Sequence, residues 1–351
     1  MIDLKTLSRA EIGDLFQKMG LPQFRVSQLI HWMYEKNAAC IDDITEFSKP
    51  LRETLKGFSY IGGLKILKKT ASPDGTLKLL FGLEDGLSVE GVLIPDEYRL
   101  TLCVSSQVGC AMGCRFCLTA TMGFIRNLRA DEIAGQVMAV RQELQAQGGV
   151  SSEITNIVFM GMGEPLRNYD GVVRGINILT GFMGISKRRI TLSTAGVVPE
   201  LQKLYKEIPE VNLAVSLNAT TDETRSSLMP VNNKYDIGSL LRACGRLPIS
   251  SRRRITFGYV LLKGINDTPA DARRLIALLK GLNAKVNLIP FNEYDGAKFE
   301  PPDEKTVLEF QQILVDRHVT AFIRKSMGRE IGAACGQLRT CYEAAQTELP
   351  S

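Results

Sequence analysis

From residue 98 onward, near-continuous apolar runs alternate with amphipathic stretches. The runs are YRLTLCV (98–104), ITNIVFM (154–160), RRITLST (188–194), VNLAVSL (211–217), ITFGYVLL (255–262) and AKVNLIP (284–290). Between them, segments such as ADEIAGQVMAVRQELQ (130–145) and ADARRLIALLKGL (270–282) carry apolar residues at helical spacing. A strand that is apolar on both faces must be covered on both, which points to a parallel sheet dressed with crossover helices. Six such units are too few to close an eight-unit barrel. The pattern therefore predicts an α/β fold, an open or partial (β/α)6 barrel, over residues 96–329.

Upstream the periodicity differs. Residues 1–59 predict a helical accessory domain. Ser8 and Glu11 form a capping box ahead of Ile12, Leu15 and Phe16. A second helix is expected from Arg25 to Trp32 and a third from Leu51 to Leu55. Residues 60–95 predict a short β extension built from YIGGLKILKK, TLKLLFGLE and LSVEGVLI. Asp74-Gly75 and Asp85-Gly86 separate these strands as hairpin signals. VTAFIRK (319–325) is one further strand, leading into a tail over 330–351.

A chain of 351 residues, 44% of them apolar, has ample core and is neither wholly disordered nor collagen-like. No apolar run approaches the ~18 residues of a membrane span. The first residues mix both charge signs without an apolar h-region, so no secretory signal and a cytoplasmic location are expected. A reducing compartment disfavours structural disulfides. The eight cysteines, Cys40, Cys103, Cys110, Cys114, Cys117, Cys244, Cys335 and Cys341, therefore point to metal or catalysis. Histidine contributes only His31 and His318, so a metal site must lean on thiolates.

The densest group is Cys110-Ala-Met-Gly-Cys114-Arg-Phe-Cys117, at the C-terminal side of the first barrel strand, where parallel α/β folds place their sites. Three thiolates on one loop hold three corners of a four-iron cluster, which normally takes four ligands, and leave one iron open. Structural zinc takes four ligands, commonly as two CxxC pairs or with histidines. The sequence has no second pair, and its histidines are remote.

Gly161-Met162-Gly163-Glu164-Pro165 follows the second barrel strand. Leu166 stands where a dinucleotide-binding loop needs its third glycine, so that reading fails. The two glycines allow close backbone approach to a ligand, and Glu164 is an acceptor for an ammonium group. The plain alternative is a strand-ending turn. Ser193, Ser216, Asn218 and Asn292 lie at strand ends. They suit ribose and adenine, although each is also an ordinary turn residue.

CxxxCxxC with Phe116 before its last cysteine resembles the radical S-adenosylmethionine (SAM) superfamily. LCVSSQVGCAMGCRFCLTATMGFIRNL, VFMGMGEPL, SKRRITLSTAGVVP, NLIPFN and GREIGAACGQL resemble one family within it more closely. That family is the bacterial dual-specificity adenosine carbon-2 methyltransferases of 23S ribosomal RNA and transfer RNA. The resemblance runs from about Leu15 to Leu338. One departure is SLNA at 216–219, where many relatives carry histidine in place of Asn218.

The resemblance implies a radical SAM barrel with one 4Fe-4S cluster on Cys110, Cys114 and Cys117, and SAM chelated to the open iron. It implies SAM contacts at Gly163, Glu164, Ser193, Ser216, Leu217, Asn218 and Asn292. Reduction and homolysis would yield methionine and a deoxyadenosyl radical. In the family a first SAM methylates the cysteine that matches Cys335. A radical from a second SAM takes hydrogen from that methyl group, and the carbon adds to adenine. Glu90 matches the acceptor of the ring proton. Cys103 matches the cysteine that releases the adduct through a disulfide with Cys335. The chemistry is coherent, because carbon 2 of adenine lies between two ring nitrogens and is not a nucleophile, whereas a radical can add there. Without the resemblance, Cys335 and Cys103 read as small buried hydrophobes and Glu90 as a solvent-facing strand residue. Cys341 lacks the matching flanks and reads as a bystander with Cys40 and Cys244.

The expected partners are 23S rRNA, tRNA and a reductant protein such as flavodoxin, with no membrane and the chain acting as a monomer. Lys187-Arg188-Arg189, Arg252-Arg253-Arg254 and Arg126 with Arg129 are candidate RNA contacts, although such runs are more often solvated faces. The target adenosine would have to be flipped into the barrel. Two other readings stay open. One is the related carbon-8 adenosine methyltransferase of the antibiotic-resistance type, which shares the cluster and both cysteines. The other is a non-catalytic iron–sulfur electron carrier, which has little use for Glu90 or Cys335.

Overall fold

The Ser8 hydroxyl accepts a hydrogen bond from the Glu11 amide, and the Glu11 carboxylate accepts one from the Ser8 amide, so helix α1 (Arg9–Lys18) starts at the expected box. Helices α2 (Phe24–Tyr34) and α3 (Lys49–Lys56) follow. Strand β1 (Ile2–Asp3) pairs in parallel with β2 (Ser59–Tyr60), tying the two ends of this helical region together. Its apolar faces meet in Ile12, Phe16, Val26, Leu29, Met33 and Phe47, all buried. The computed structural model describes residues 1–146, 153–250 and 252–340. The helical region packs on the larger body through the rings of Tyr34 and Phe182, 5.4 Å apart, and an Asn37 side chain that donates to the Met138 carbonyl.

Four strands then form an antiparallel meander: β3 (Lys65–Ala71), β4 (Leu77–Gly82), β5 (Ser88–Asp96) and β6 (Arg99–Cys103). Gly75 and Gly86 turn the first two hairpins at φ +85° and +82°, the left-handed backbone that their Asp-Gly pairs predict. A small hairpin of β7 (Gln107–Gly109) and β8 (Phe124–Asn127) flanks the cysteine loop. The chain continues through helix α4 (Ala130–Ala146), strand β9 (Asn156–Phe159), helix α5 (Tyr169–Gly181), strand β10 (Ile190–Thr194) and helix α6 (Val198–Glu207). Next come β11 (Asn212–Ser216), α7 (Asp222–Leu228), α8 (Ile237–Gly245) and β12 (Ile255–Leu261). Helix α9 (Pro269–Leu279), β13 (Ala284–Pro290), α10 (Glu304–Val315) and β14 (Ala321–Ile323) complete the pattern.

One ten-stranded sheet results, ordered β14-β13-β12-β11-β10-β9-β6-β5-β4-β3. From β6 to β14 every pairing is parallel. The order never reverses, so the sheet has no topological switch point of the doubly wound kind. It also keeps two edges, as the open barrel expectation requires. The six apolar runs are β6 and β9 to β13, and β14 adds an edge strand. The 60–95 strands extend this same sheet through β5 and β6 rather than standing apart. Among the described residues no helix is long and apolar enough to cross a membrane.

Candidate active site

The cysteine loop leaves the C-terminal end of β6 through β7. Gly109, at φ +74°, could carry no side chain, because a Cβ there would lie 1.9 Å from the Gly123 carbonyl. That contact lets the Cys110 amide donate to Gly123 O at 2.8 Å and closes the loop base. Gly113 takes a second left-handed turn at φ +67° against Pro230, and the Arg115 amide donates to Leu228 O at 3.0 Å. Burial pushes the Cys110 thiol up to about 11. Cys114 is raised further, by burial first and by its neighbours Cys117 and Cys110 second. Burial opposes ionisation of Cys110 and Cys114, so the loop's cysteines form a donor set favoured as thiolates around bound cations. Among the described residues no three Cys, His, Asp or Glu side chains are disposed to hold a single metal ion. A cluster that offers a separate iron to each thiolate fits this loop better than one zinc.

Glu164 is buried at the end of β9. Its carboxylate accepts from the Leu166 amide at 3.0 Å and the Ala195 amide at 2.7 Å, which spans the ends of β9 and β10. Desolvation nevertheless raises its pKa, as expected for a carboxylate awaiting a cationic partner. The glycines have a different reason from the expected approach to a ligand. A Cβ at Gly161 would meet the Val104 carbonyl and Ser105 Oγ at 2.7 Å, and one at Gly163 would meet Gln107 Cβ at 2.6 Å. The chain's own β6–β7 segment fills that space. Gln107 also accepts from the Glu164 amide at 2.8 Å, a contact with no signature in the sequence.

The remaining strand-end residues fall into two groups. Ser193 on β10 and Ser216 on β11 are half-buried. Asn292, just past β13, is buried; its Nδ2 donates to the Cys335 carbonyl at 3.2 Å and its Oδ1 has no hydrogen-bond partner. A buried acceptor without a donor suits a ligand amino group or hydroxyl, so the site fits a nucleoside there. Leu217 and Asn218 are committed internally. The Leu217 amide donates to Gly258 O, and Asn218, at φ +58°, accepts from the Val260 amide at 2.9 Å and donates to Met229 Sδ.

The tail folds back over the cysteine loop. The Leu118 amide donates to Gly336 O at 2.7 Å, and Thr119 Oγ1 donates to Leu338 O at 2.6 Å. These bonds place Cys335 beside Cys117, which adds to the influences that raise the Cys335 thiol. Cys335 keeps accessible surface yet is surrounded by protein, and burial pushes its thiol up. Cys103 ends β6, is buried, and its ionisation is opposed by burial first and by Cys335 second. Both are free thiols.

Glu90 is not solvent-facing: it is 6% exposed, because β5 is covered on both sides. Val92 is the register partner of both Cys103 and Lys78, and Glu90 lies two residues from Val92. Lys78, Glu90 and Cys103 therefore share one face of the sheet. Lys78 Nζ lies 3.3 Å from the Glu90 carboxylate, which also accepts from the Arg339 amide at 2.9 Å. Burial raises the Glu90 pKa while Lys78 and that amide oppose the rise.

The basic runs take no part in this site. Lys187-Arg188-Arg189 precedes β10, and Arg252-Arg253-Arg254 precedes β12, so both lie at the opposite ends of the parallel strands. Arg126 is clamped by Glu132 and Asp85, and Arg129 by Asp131, Glu132 and Glu84. Cys40 is exposed in the helical region and Cys244 is buried in α8, neither on the loop; Cys341 lies outside the described residues. Sequence reasoning missed Lys78 and the fully buried Arg225 on α7.

Comparison with known proteins agrees with this architecture. The radical SAM superfamily model matches residues 104–276, and a ribosomal RNA large subunit methyltransferase N-terminal domain model matches residues 2–61. The chain is 49% identical to the dual-specificity RNA methyltransferase RlmN of Pelobacter propionicus, over 98% of this chain and 97% of that protein. It is 50% identical to the RlmN of Syntrophobacter fumaroxidans, over 97% and 98%. A crystal structure of a radical SAM methyltransferase from Sphaerobacter thermophilus superposes with a TM-score of 0.90 at 43% identity, covering 97% of this chain and 99% of that one. The chain belongs to the dual-specificity RNA methyltransferase family of the radical SAM superfamily, whose members depend on a 4Fe-4S cluster and SAM.

Proposed function

We propose that the protein methylates carbon 2 of an adenosine in 23S rRNA and in tRNA, with Cys335 as carrier of the methyl carbon. The observation that supports this most is the docked tail. It brings Cys335 to the cysteine loop and the Arg339 amide to Glu90, on the sheet face that also holds Cys103. Cys110, Cys114 and Cys117 would hold the cluster, and Glu164, Ser193, Ser216 and Asn292 would hold SAM. The cluster with SAM would supply the radical that activates the methyl group on Cys335. The protein's part is to dock the methylated cysteine against that site and exclude water from it. The radical adduct then gives up one electron, which the cluster would take back, as Glu90 accepts the adenine ring proton; the Cys103 thiolate attacks the Cys335 sulfur, the bond from that sulfur to the transferred carbon breaks, and the carbon takes up a proton to become the methyl group as the disulfide forms. Residues 1–59 act as an RNA-binding accessory domain, in keeping with the rRNA methyltransferase N-terminal domain they resemble. Residues 60–95 form the β extension, 96–329 the core barrel and 330–351 the methyl-accepting tail. A cytoplasmic monomer supplied with electrons by a protein such as flavodoxin completes the reading.

The test is the product. Anaerobic protein with SAM and a reductant is incubated with a 23S rRNA fragment or tRNA, and the nucleosides are separated by mass spectrometry. 2-Methyladenosine is expected. 8-Methyladenosine would move the protein to the carbon-8 reading, and an intact cluster without SAM cleavage would leave only an electron carrier.

A further inference from the structure

Among the described residues Arg225 is one of the largest fully buried side chains. A guanidinium has five N–H donors, and every one is used. Nε donates to Leu217 O at 3.0 Å. Nη1 donates to Asn232 Oδ1 at 3.0 Å and Tyr235 O at 3.4 Å. Nη2 donates to Ala195 O at 2.8 Å and Ser216 O at 3.1 Å. All five acceptors are neutral. The nearest carboxylate in this network, Asp222, stands one residue further on, bound by Asn232 Nδ2 at 3.0 Å. Arg225 thus has no donor left for a substrate and no anion in contact. A buried charge is costly when unpaired, so the position invites the question of which anion it serves.

The cysteine loop is packed against its helix. The Arg115 amide donates to Leu228 O, the last residue of α7, and Gly113 abuts Pro230 just beyond. The Ala195 peptide links the two buried charges of the site, donating its N–H to Glu164 and offering its carbonyl to Arg225. Burial lowers the guanidinium to about 10, which leaves it charged at neutral pH, and Cys114 is the largest influence that opposes the fall.

Taking the cysteine loop to be the cluster site, we propose that Arg225 is a positioning residue whose fixed buried charge favours the reduced cluster on Cys110, Cys114 and Cys117. Reduction adds one electron to an assembly already made anionic by its thiolates. A fixed cation in a poorly screened interior offsets that added charge, and net charge and burial are among the factors that set cluster potentials. The five hydrogen bonds hold the cation in place, and they brace the carbonyls of Ala195, Ser216 and Leu217 at the ends of β10 and β11.

An EPR-monitored redox titration of anaerobically reconstituted full-length protein tests this. Arg225→Gln and Arg225→Met remove the charge, and Arg225→Lys keeps it while losing the planar fork. At a fixed solution potential, the neutral variants are expected to show about a tenfold lower ratio of reduced to oxidised cluster, about 59 mV for one electron. Arg225→Lys is expected to stay at the wild-type potential. Neutral variants with an intact cluster at the wild-type potential would overturn the proposal, as would a Lys variant displaced as far as they are. If only Arg225→Lys retains a cluster, at the wild-type potential, the charge is again the determinant. Loss of the cluster in all three would assign Arg225 to hydrogen-bond bracing alone and overturn the proposal. Wild-type protein that binds no cluster would instead contradict the underlying reading of the loop.

Discussion

The backbone amide of Arg339 donates to the carboxylate of Glu90 at 2.9 Å, joining positions 249 residues apart in sequence. The tail that carries Cys335 is thus latched by the same carboxylate that matches the proton acceptor. Glu90→Gln keeps the shape and removes the base. Turnover is expected to fall about a hundredfold or more, the usual weight of a general base, while methylation of Cys335 continues. Lys78 opposes the burial that raises the Glu90 pKa, so Lys78→Met should raise it further. The acid limb of the pH–rate profile then moves to higher pH. An unmoved limb would separate Glu90 from the titration that controls turnover.

Asp74 holds the other end of the docked tail. Its carboxylate accepts from the Gly328 amide at 2.8 Å and the Thr76 amide at 2.9 Å, and these bonds hold it down to about 2 from 3.8. A depressed carboxyl stabilises the fold fully above its unfolded value and loses that contribution as pH falls through the folded one. Protection of the Gly328 amide against hydrogen exchange should therefore weaken between pH 3.8 and about 2. Asp74→Asn should reduce that protection at neutral pH.

Glu164 joins two roles that substitution can separate. Glu164→Gln removes the charge that would hold the SAM ammonium. A charge-assisted hydrogen bond is worth roughly 1.5–3 kcal/mol, so calorimetry should show SAM affinity about 10- to 100-fold weaker with the cluster still bound. Glu164→Ala also strands the buried amides of Leu166 and Ala195, and a further stability loss of about 3 kcal/mol is expected. Equal SAM affinity in all three proteins would reduce Glu164 to a turn residue.

Cys114 is half-buried, at the middle of the three loop thiols. Cys114→Ala is expected to abolish the four-iron EPR signal and the matching iron and sulfide content. Retention of both would remove this cysteine from the ligand set.

Periodicity carries much of this fold. The six apolar runs become β6 and β9 to β13, and the Ser8 box starts α1, because burial and capping are local properties of the chain. Pairing across the meander is not local. The segment 60–95 looks like an appendage until its register with β6 brings Glu90 to the face of Cys103. Arg225 is silent in sequence, because a lone arginine on a seven-residue helix shows no sign that five acceptors from separate segments will surround it. The basic runs show where charge alone stops being informative. A run immediately before a parallel strand lies at the end of the sheet opposite the site, which charge density alone does not reveal. The glycines of GMGEP are legible as a close approach, although the approaching partner is Gln107 and the end of β6 rather than a ligand.

The central claim is that Cys335 carries the carbon to RNA and Cys103 releases it. The most direct measurement incubates Cys103→Ala protein with SAM, a reductant and a 23S rRNA fragment, then maps any covalent protein–RNA species by nuclease digestion and peptide mass spectrometry. A nuclease-sensitive shifted band is expected, with the modified nucleotide on Cys335, and no band in the Cys103→Ala, Cys335→Ala double variant. Normal turnover by Cys103→Ala, or a crosslink on Cys341, would contradict it.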